Sequence, residues 1–421
     1  MLKFILKGLL RDRSRSFFPV LIVSAGVMVS VFLIAFISGY VESMVRQNAR
    51  FETGHMKIVT NAYAEKLSQK PYDLGFIDTE QELEQWKQDF PTIRWTPRIY
   101  FGALMDVPDS LGSTAAQGDV FGMAIDMKDK TAVEDIHLSE ALLKGKLPSA
   151  PDEILLSDEL FSKLKLKIND TVTLLGSSVY GAMSFRNFTI SGTVSFGVQA
   201  IDRGGIVADI EDIRNFLDMQ GGASEYIGFL PGGLYDDKQV QAIKQQFNAK
   251  YHTDDEFSPV MLALTDQNDL GNLLNYMAVT MGMITFVFIL IISIVLWNAG
   301  LMNSIRRYGE FGLRLALGEP KHHLYSWLII ESVAIGIIGS FIGATIGILI
   351  IIYFHIHGFN FGMFTKDTSM MIENMVYTTV RLKNVLMGTI PGLAATILGA
   401  MLAGIGIFSR KTSQLFKELE T

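Results

Sequence analysis

Residues 277–297, MAVTMGMITFVFILIISIVLW, form an apolar run without a single charged side chain. Three further runs of this kind occupy residues 17–40, 328–354 and 384–408, and only Glu331 interrupts them. A helix needs about 20 residues to cross about 30 Å of hydrocarbon. The sequence therefore predicts four transmembrane helices.

The long polar stretch between the first and second runs has a different character. A helical pattern at residues 80–90 and short alternating strands at residues 153–157, 170–175 and 187–194 are mixed within it. Strands mixed with helices indicate an α+β domain, and a division into two lobes is compatible with the pattern. The predicted fold is a membrane protein with four transmembrane α-helices and a large α+β extracytoplasmic domain inserted between helices 1 and 2.

The predicted segments follow one another along the chain. They are a cytoplasmic amphipathic helix (1–16), transmembrane helix 1 (17–40), a periplasmic domain (41–272), transmembrane helix 2 (273–298), a cytoplasmic coupling-helix loop (299–325), transmembrane helix 3 (326–354), a periplasmic loop (355–383), transmembrane helix 4 (384–408) and a cytoplasmic tail (409–421).

The charge distribution predicts the orientation of these segments. The N-terminal arm, the loop between helices 2 and 3 and the tail together carry 12 Lys and Arg against 5 Asp and Glu. Residues 41–271 carry 21 Lys and Arg against 35 Asp and Glu, a net charge of −14. Because positive segments stay in the cytoplasm, we expect both termini inside and the large domain outside. The overall charge of −7 hides this division and gives no reason to expect nucleic-acid binding.

The first apolar run is expected to be an uncleaved anchor. A signal peptide has an apolar core of about 7–15 residues followed by small residues at a cleavage site. The run at 17–40 is longer than that and leads into Ser-Gly-Tyr-Val-Glu.

Several kinds of chemistry have no basis in the sequence. The chain has no cysteine, which excludes disulfides, thiolate metal sites and a lipidated cysteine. It lacks a phosphate-binding Gly-x-x-x-x-Gly-Lys-Ser/Thr loop. The paired histidines, His322 with His323 and His355 with His357, have too few acidic neighbours for a metal site. We expect no catalytic residue, no metal and no cofactor bound by this chain.

The loop between helices 2 and 3 contains SIRRYGEFGLRLALG at residues 304–318. Its pattern predicts a short helix that stops at Gly318, with Pro320 two residues later. Gly309 and Gly312 lie inside this helix, where each costs about 1 kcal/mol relative to alanine. We therefore favour a helix that docks into a partner over a free surface helix.

Two features of helix 3 suggest packing within the membrane. Gly339, Gly343 and Gly347 recur every fourth residue, which is the small-xxx-small pattern of closely approaching helices. Glu331 lies about one turn inside the cytoplasmic end, and we interpret this membrane acid as an anchor rather than a proton relay.

Residues 176–185, GSSVYGAMSF, separate two predicted strands by more than a tight turn needs. The pattern predicts a long loop whose tip exposes Val179, Tyr180 and Met183. Loops with apolar tips are more often functional than idle, so these residues are a candidate partner-binding loop; packing on the loop's own domain or on a sister subunit is the alternative.

The loop sequence Glu-Phe-Gly-Leu-x-x-Ala-Leu-Gly at residues 310–318 carries a family resemblance. Preceded by Arg306 and Arg307 and followed by the early Glu331, it resembles the permeases of the FtsX-like superfamily of ABC transporter subunits. Gly-His at residues 54–55 and DEILLS at 152–157 are similar to the outer domain of that family. The layout is closest to the lipoprotein-releasing (LolC/LolE-type) permease subunits. One departure is Leu315, where the family usually places an arginine.

The resemblance implies roles for particular residues. In the family the helix between spans 2 and 3 is the coupling helix that contacts the ATPase. By motif, this role carries over to Arg306, Arg307, Glu310, Phe311, Gly312, Leu313, Ala316, Leu317 and Gly318. ATP and Mg²⁺ would be bound by the partner ATPase and not by this chain.

The resemblance also implies partners and a function. The expected partners are an ABC ATPase dimer, a second permease (a copy or a sister subunit), a periplasmic carrier or adaptor, and the lipid bilayer of the bacterial inner membrane. The expected function is mechanotransmission that releases lipoproteins or a similar lipophilic substrate from the outer leaflet. The alternatives are efflux of peptides or macrolides, and a non-transport regulator that relays ATPase motion to a cell-wall hydrolase.

Overall fold

The structure is a computed structural model that describes residues 13–109, 113–195, 199–306, 313–360 and 375–409. The chain divides into two compact units. The helical unit comprises Met1–Glu42, Asn275–Asn360 and Met375–Thr421. The α/β unit comprises Ser43–Leu274 and Phe361–Asn374.

Four long helices dominate the first unit. They are α1 (Arg13–Asn48), α2 (Leu270–Arg306), α3 (Lys321–His357) and α4 (Leu382–Ser409). All four are long and apolar enough, by length and composition, to cross a membrane. The prediction of four apolar helices together with a large domain of mixed helices and strands is confirmed at this level.

The helices extend beyond the apolar runs from which they were predicted. α1 continues past residue 40 to Asn48 and then forms a π-helical turn, Ala49–Thr53. α3 continues to His357, where Gly358 with a φ of 68° ends it. Hydrogen bonding along a helix does not stop where the side chains become polar, so hydropathy locates a span better than it locates the helix ends. Residues 1–12 of the predicted arm (1–16) and residues 410–421 of the predicted tail (409–421) lie outside the described residues.

The α/β unit is built on a ten-stranded mixed sheet. The strands are β1 (Met56–Thr60), β2 (Arg94–Pro108), β3 (Thr114–Ile125), β4 (Leu142–Gly145), β5 (Glu153–Ser157), β6 (Thr171–Ser177), β7 (Met183–Val194), β8 (Gly205–Asp209), β9 (Glu225–Phe229) and β10 (Pro259–Ala263). Their order is β10-β1-β9-β2-β3-β8-β5-β7-β4, and β6 pairs with β2 and β7. A further short pair joins Phe359–Asn360 to Met375–Val376.

Short helices cover this sheet. They are Asn61–Glu65, Glu80–Asp89, Lys130–Asp135, Leu138–Ala141, Asp158–Lys163, Gln199–Asp202, Ile210–Leu217 and Asp237–Tyr251, with 3₁₀ turns at Tyr72–Leu74 and Leu264–Asp266. The predicted helix at residues 80–90 and the strand at 153–157 are present. The helix after Ser157 ends at Lys163, and Lys165 just beyond it adopts a left-handed φ of 54°.

Separate clusters of apolar side chains lie on the two faces of the sheet. The first, which we call the main core, includes Met105, Val172 and Phe188. On the opposite face, Tyr100, Met123 and Val207 belong to another cluster. Side chains alternate along a strand, so neighbouring residues of β2 and β3 contribute to different cores.

Candidate functional site

The three glycines of α3 lie against α1. A Cβ atom placed on Gly339 would lie 2.8 Å from Cβ of Val23, and one placed on Gly343 would lie 2.4 Å from the carbonyl oxygen of Ser24. The Ser24 hydroxyl donates a 3.1 Å hydrogen bond to the carbonyl oxygen of Gly339. A Cβ on Gly347 would lie 3.0 Å from Val31. The missing side chains therefore allow the two backbones to approach closely.

Two glycines of α4 make the same kind of contact and were missed by the sequence interpretation. A Cβ on Gly388 would lie 2.7 Å from Cα of Val31, and one on Gly392 would lie 2.2 Å from Val27. These two glycines are also four residues apart, so the signal was present in the sequence. Val23, Val27 and Val31 form one ridge of α1, which packs against small residues of both α3 and α4.

The described end of the loop between α2 and α3 has the geometry of a regular helix C-terminus. The amide of Glu319 donates to the carbonyl oxygen of Arg314, and the amide of Gly318 donates to that of Leu315. Gly318 has a φ of 90°, so this is a Schellman termination that favours glycine. Two leucines four residues apart, Leu313 and Leu317, are 59% and 79% exposed. The loop thus ends with apolar side chains directed into solvent.

The other predicted coupling residues lie partly outside the described structure. Arg307, Glu310, Phe311 and Gly312 are outside the described residues, and the side chain of Arg306 is not described. Ala316 lies between the two exposed leucines. The membrane acid Glu331 is half-buried within α3.

The structure corrects the prediction of a long loop at residues 176–185. β6 and β7 pair as far as Ser177 opposite Met183, so the connection is a hairpin turn at residues 178–182 and not a long excursion. Hydrophobic alternation fades before the hydrogen-bonded ladder ends, which is why the sequence suggested shorter strands. Tyr180 and Met183 are 69% and 84% exposed, as expected, whereas Val179 packs against the main core. The sequence interpretation missed Phe185, which is 73% exposed.

A pocket of about 420 Å³ lies in the α/β unit. Its lining is mostly apolar and comes from β2 and β3, from the segment 201–207 that leads into β8, from the π-helical turn and from the segment after the first short helix. The lining residues are Phe51, Ser68, Gln69, Lys70, Tyr100, Phe101, Gly102, Phe121, Gly122, Met123, Ile201, Ile206 and Val207. A volume of this size falls in the range of small-molecule pockets, about 300–1,000 Å³.

A cation that is paired with an anion lies at one edge of this pocket. The Lys70 ammonium is 3.9 Å from the centre of the Tyr100 ring and 3.4 Å from a carboxylate oxygen of Glu52. The Tyr100 hydroxyl donates to the backbone carbonyl oxygen of Phe51 at 2.6 Å. Lys70 and Glu52 therefore give a mostly apolar pocket one polar, charge-neutral edge.

A fully buried ion pair joins β1 to β9. The Lys57 ammonium donates to Glu225 at 2.7 Å and to the backbone carbonyl oxygen of Glu52 at 3.0 Å. Burial lowers the pKa of the Lys57 ammonium, and the Glu225 carboxylate opposes that shift. Arg98 is also buried and lies opposite Glu225 in the β2–β9 ladder. Lys57 thus ties the π-helical turn after α1 to the sheet.

His55 immediately precedes β1 and is buried in its neutral form. Its Nδ1 accepts a 3.0 Å hydrogen bond from the Leu230 amide, and its ring contacts Phe229 and Tyr235 edge-on. Burial, together with the positive charge of Arg94, lowers the pKa of His55 to about 4.

The low pKa of His55 predicts a loss of stability in acid. The unfolded chain protonates this imidazole below pH 6.5 and the folded chain only near pH 4, so its contribution is full above pH 6.5 and disappears as the pH falls to 4. The difference corresponds to about 3 kcal/mol of unfolding free energy. We expect His55→Gln, whose amide oxygen can accept the same hydrogen bond, to flatten the decline measured by denaturant unfolding at pH 7.0, 5.5 and 4.5. If the unfolding free energy of the variant declines with falling pH as steeply as that of the native chain, His55 does not cause the decline.

The histidines noted in the sequence have other contacts. The Nδ1 atom of His323 is 2.6 Å from a Glu319 carboxylate oxygen. The His355 ring nitrogen lies 2.6 Å from the carbonyl oxygen of Thr378, and His357 stacks on Tyr353. Within the described part of the chain, no group of three or more His, Asp or Glu side chains is arranged to hold a metal ion.

Comparison with known proteins supports a family for the C-terminal third of the chain. Residues 282–412 match the model of the FtsX-like permease C-terminal family. No curated protein matches the chain. A solved structure, the crystal structure of the periplasmic region of MacB from Actinobacillus actinomycetemcomitans, is similar with a TM-score of 0.33 and 11% identity, covering 52% of this chain and 92% of that chain. A structural similarity this weak supports no inference about the fold or function of this chain.

Proposed function

We propose that this chain is the permease subunit of an ABC transporter and that a separate ATPase subunit binds and hydrolyses ATP. The observation that carries the proposal is the family match over residues 282–412, which takes in α3 and the loop that precedes it. The exposed leucines at the end of that loop supply an apolar surface of the kind a partner protein covers. The proposal places no catalytic residue on this chain.

The proposed location is the bacterial inner membrane, with both termini in the cytoplasm and the α/β unit in the periplasm. The support is the charge asymmetry: the acidic surplus lies within residues 41–271 and the basic surplus in the flanking arm, loop and tail.

The orientation predicts which positions a membrane-impermeant reagent can reach. The chain has no native cysteine, so single cysteines can be introduced at Asp109 and at Glu319 without background. In intact spheroplasts a membrane-impermeant maleimide should label the cysteine at position 109. The cysteine at position 319 should react only after the membrane is permeabilised. Labelling of position 319 in intact spheroplasts would reverse the proposed orientation.

The docking proposal rests on Leu313 and Leu317. Residues four apart on a helix share a face, so both side chains present one apolar surface. The Arg314 guanidinium lies 5.7 Å from the centre of the Trp327 ring, which holds the loop end against the start of α3. We propose that the ATPase covers the leucine face, in line with the coupling role that the resemblance implies for residues 306–318.

A negative charge on the face formed by Leu313 and Leu317 should weaken binding of the ATPase. We expect Leu317→Asp to weaken association with the ATPase at least about tenfold, or about 1.4 kcal/mol, because binding would bury an unpaired carboxylate. Co-purification and ATP hydrolysis by the membrane complex measure the effect. The control is Leu234→Asp, which changes an equally apolar and 57% exposed leucine of the α/β unit. If both variants retain the ATPase equally, the leucine face is not the docking surface.

For the substrate we propose a lipoprotein or a similar lipophilic molecule, released from the outer leaflet to a periplasmic carrier by mechanotransmission. The support is the layout of a large α/β unit on four apolar helices and the apolar hairpin tip at Tyr180 and Met183, which suits capture of a carrier. Four helices are few for a lined pore, so the proposal includes a second permease, either another copy or a sister subunit.

Two alternatives keep the permease assignment but give the chain a different function. One is efflux of peptides or macrolides through a periplasmic adaptor; in that type the ATPase is usually fused to the permease, and residues 1–421 contain no phosphate-binding loop. The other is a regulator that relays ATPase motion to a cell-wall hydrolase. The identity of the periplasmic partner separates the three: a carrier, an adaptor or a hydrolase.

A further inference from the structure

The pocket in the α/β unit has a floor that Gly102 keeps low. The position of a Cβ on Gly102 has no atom within 4 Å, so that residue opens directly into space. The Cβ position of Gly122 instead faces the main core, 2.1 Å from the Phe101 ring. On either side of Gly102, the rings of Tyr100 and Phe121 border the pocket. The result is an apolar trough rather than a flat sheet face.

A partly exposed apolar row leads from this pocket to the hairpin tip. Phe121 lies opposite Gly102; two residues along β2, Leu104 lies opposite Leu175, which in turn lies opposite Phe185. These side chains point to the sheet face away from the main core, because strand side chains alternate. Phe121 is 43% exposed and Phe185 is 73% exposed. Contiguous exposed apolar surface of this kind marks a binding site.

We propose that the pocket binds a single acyl chain of a lipid or lipid-anchored molecule. The acyl chain would lie over Gly102 between Tyr100 and Phe121. Lys70 would donate a hydrogen bond to the ester or amide carbonyl at the head of the chain. Apolar lining with one polar edge matches an amphiphile, whereas a nucleotide or a sugar would leave most of its polar groups without partners in this pocket.

The apolar row gives the bound acyl chain a path beyond the pocket. It runs from Phe121 across Leu104 and Leu175 to Phe185 and Met183, next to the hairpin tip. An acyl chain leaving the pocket toward that tip would stay in contact with apolar side chains. The inference agrees with the proposed lipophilic substrate but does not need the ATPase, so its failure and the failure of the permease proposal can be told apart.

Photo-crosslinking tests the pocket in the full chain. The probe is a lysophospholipid with a diazirine in its only acyl chain, added to the chain in lipid nanodiscs, and adducts are mapped by mass spectrometry. We expect adducts on peptides that contain residues 99–123 or 201–207. Gly102→Phe fills the trough and should reduce them about tenfold, equivalent to about 1.4 kcal/mol. Adducts on α2 serve as the internal reference for general membrane labelling.

Gly118→Phe is the matched control. Gly118 lies on the partner strand, its Cβ position also has no atom within 4 Å, and it is not part of the pocket lining. This variant should keep the adducts of the native chain. If Gly102→Phe lowers the melting temperature, Gly102→Leu makes the same comparison with a smaller side chain. Absence of adducts in these peptides, or equal adducts in the Gly102 and Gly118 variants, would overturn the proposal.

Discussion

Replacing Glu225 by glutamine should destabilise the α/β unit by about 3–5 kcal/mol, the usual cost of removing one partner from a buried ion pair. The Lys57 ammonium would keep its place in the interior, 1% exposed, without the carboxylate that now lies 2.7 Å away. For a unit of this size the loss corresponds to a fall of about 10 °C in melting temperature. Thermal unfolding of the full chain in detergent measures it.

The double variant Lys57→Met, Glu225→Leu is the control for this prediction. Replacing both members of a buried pair by apolar residues of similar volume is often neutral or stabilising. We therefore expect the double variant to unfold closer to the native chain than Glu225→Gln does. A double variant that is less stable than Glu225→Gln would mean that the pair itself, and not the isolated charge, determines the stability.

The second large effect is expected at the contact between α1 and α3. Gly343→Leu places a Cβ 2.4 Å from the Ser24 carbonyl oxygen and 2.9 Å from Cβ of Val27, and a backbone oxygen cannot move aside as a side chain can. Overpacking typically costs about 1–3 kcal/mol, and the rigid backbone puts this site at the upper end. We expect loss of the folded helical unit, seen as aggregation in size-exclusion chromatography in mild detergent.

Gly282→Leu in α2 is the matched control for the glycine contact. It makes the same change in another long apolar helix, at a position where a Cβ meets no atom within 4 Å. This variant should elute like the native chain. Equal behaviour of the two variants would show that the spacing of Gly339, Gly343 and Gly347 does not reflect close packing.

Local sequence patterns could predict the features that a short stretch of the chain determines by itself. The four apolar helices follow from the length of each run, and the stop at Gly318 follows from a glycine followed by Pro320. Gly343 was recognisable because a spacing of four residues places small side chains on one helix face. The same spacing at Gly388 and Gly392 could have been used and was not.

The remaining features depend on contacts between distant residues, which a local pattern does not contain. Lys57 and Glu225 are far apart in the chain, and each alone resembles an ordinary surface charge. The hairpin at residues 178–182 was interpreted as a long loop because Gly176 and Ser177 weaken the strand pattern, although their backbone pairs with β7. The pocket is assembled from five separate segments, so no single segment indicates it.

The most direct test of the permease proposal is to isolate the tagged chain from native bacterial membranes and identify the proteins that co-purify with it. The proposal predicts an ATP-binding-cassette ATPase in amounts comparable to the chain, together with a second copy or a sister permease. Leu317→Asp should remove the ATPase and leave the second permease bound. Isolation of the chain without any such ATPase, from membranes in which it is functional, would contradict the proposal.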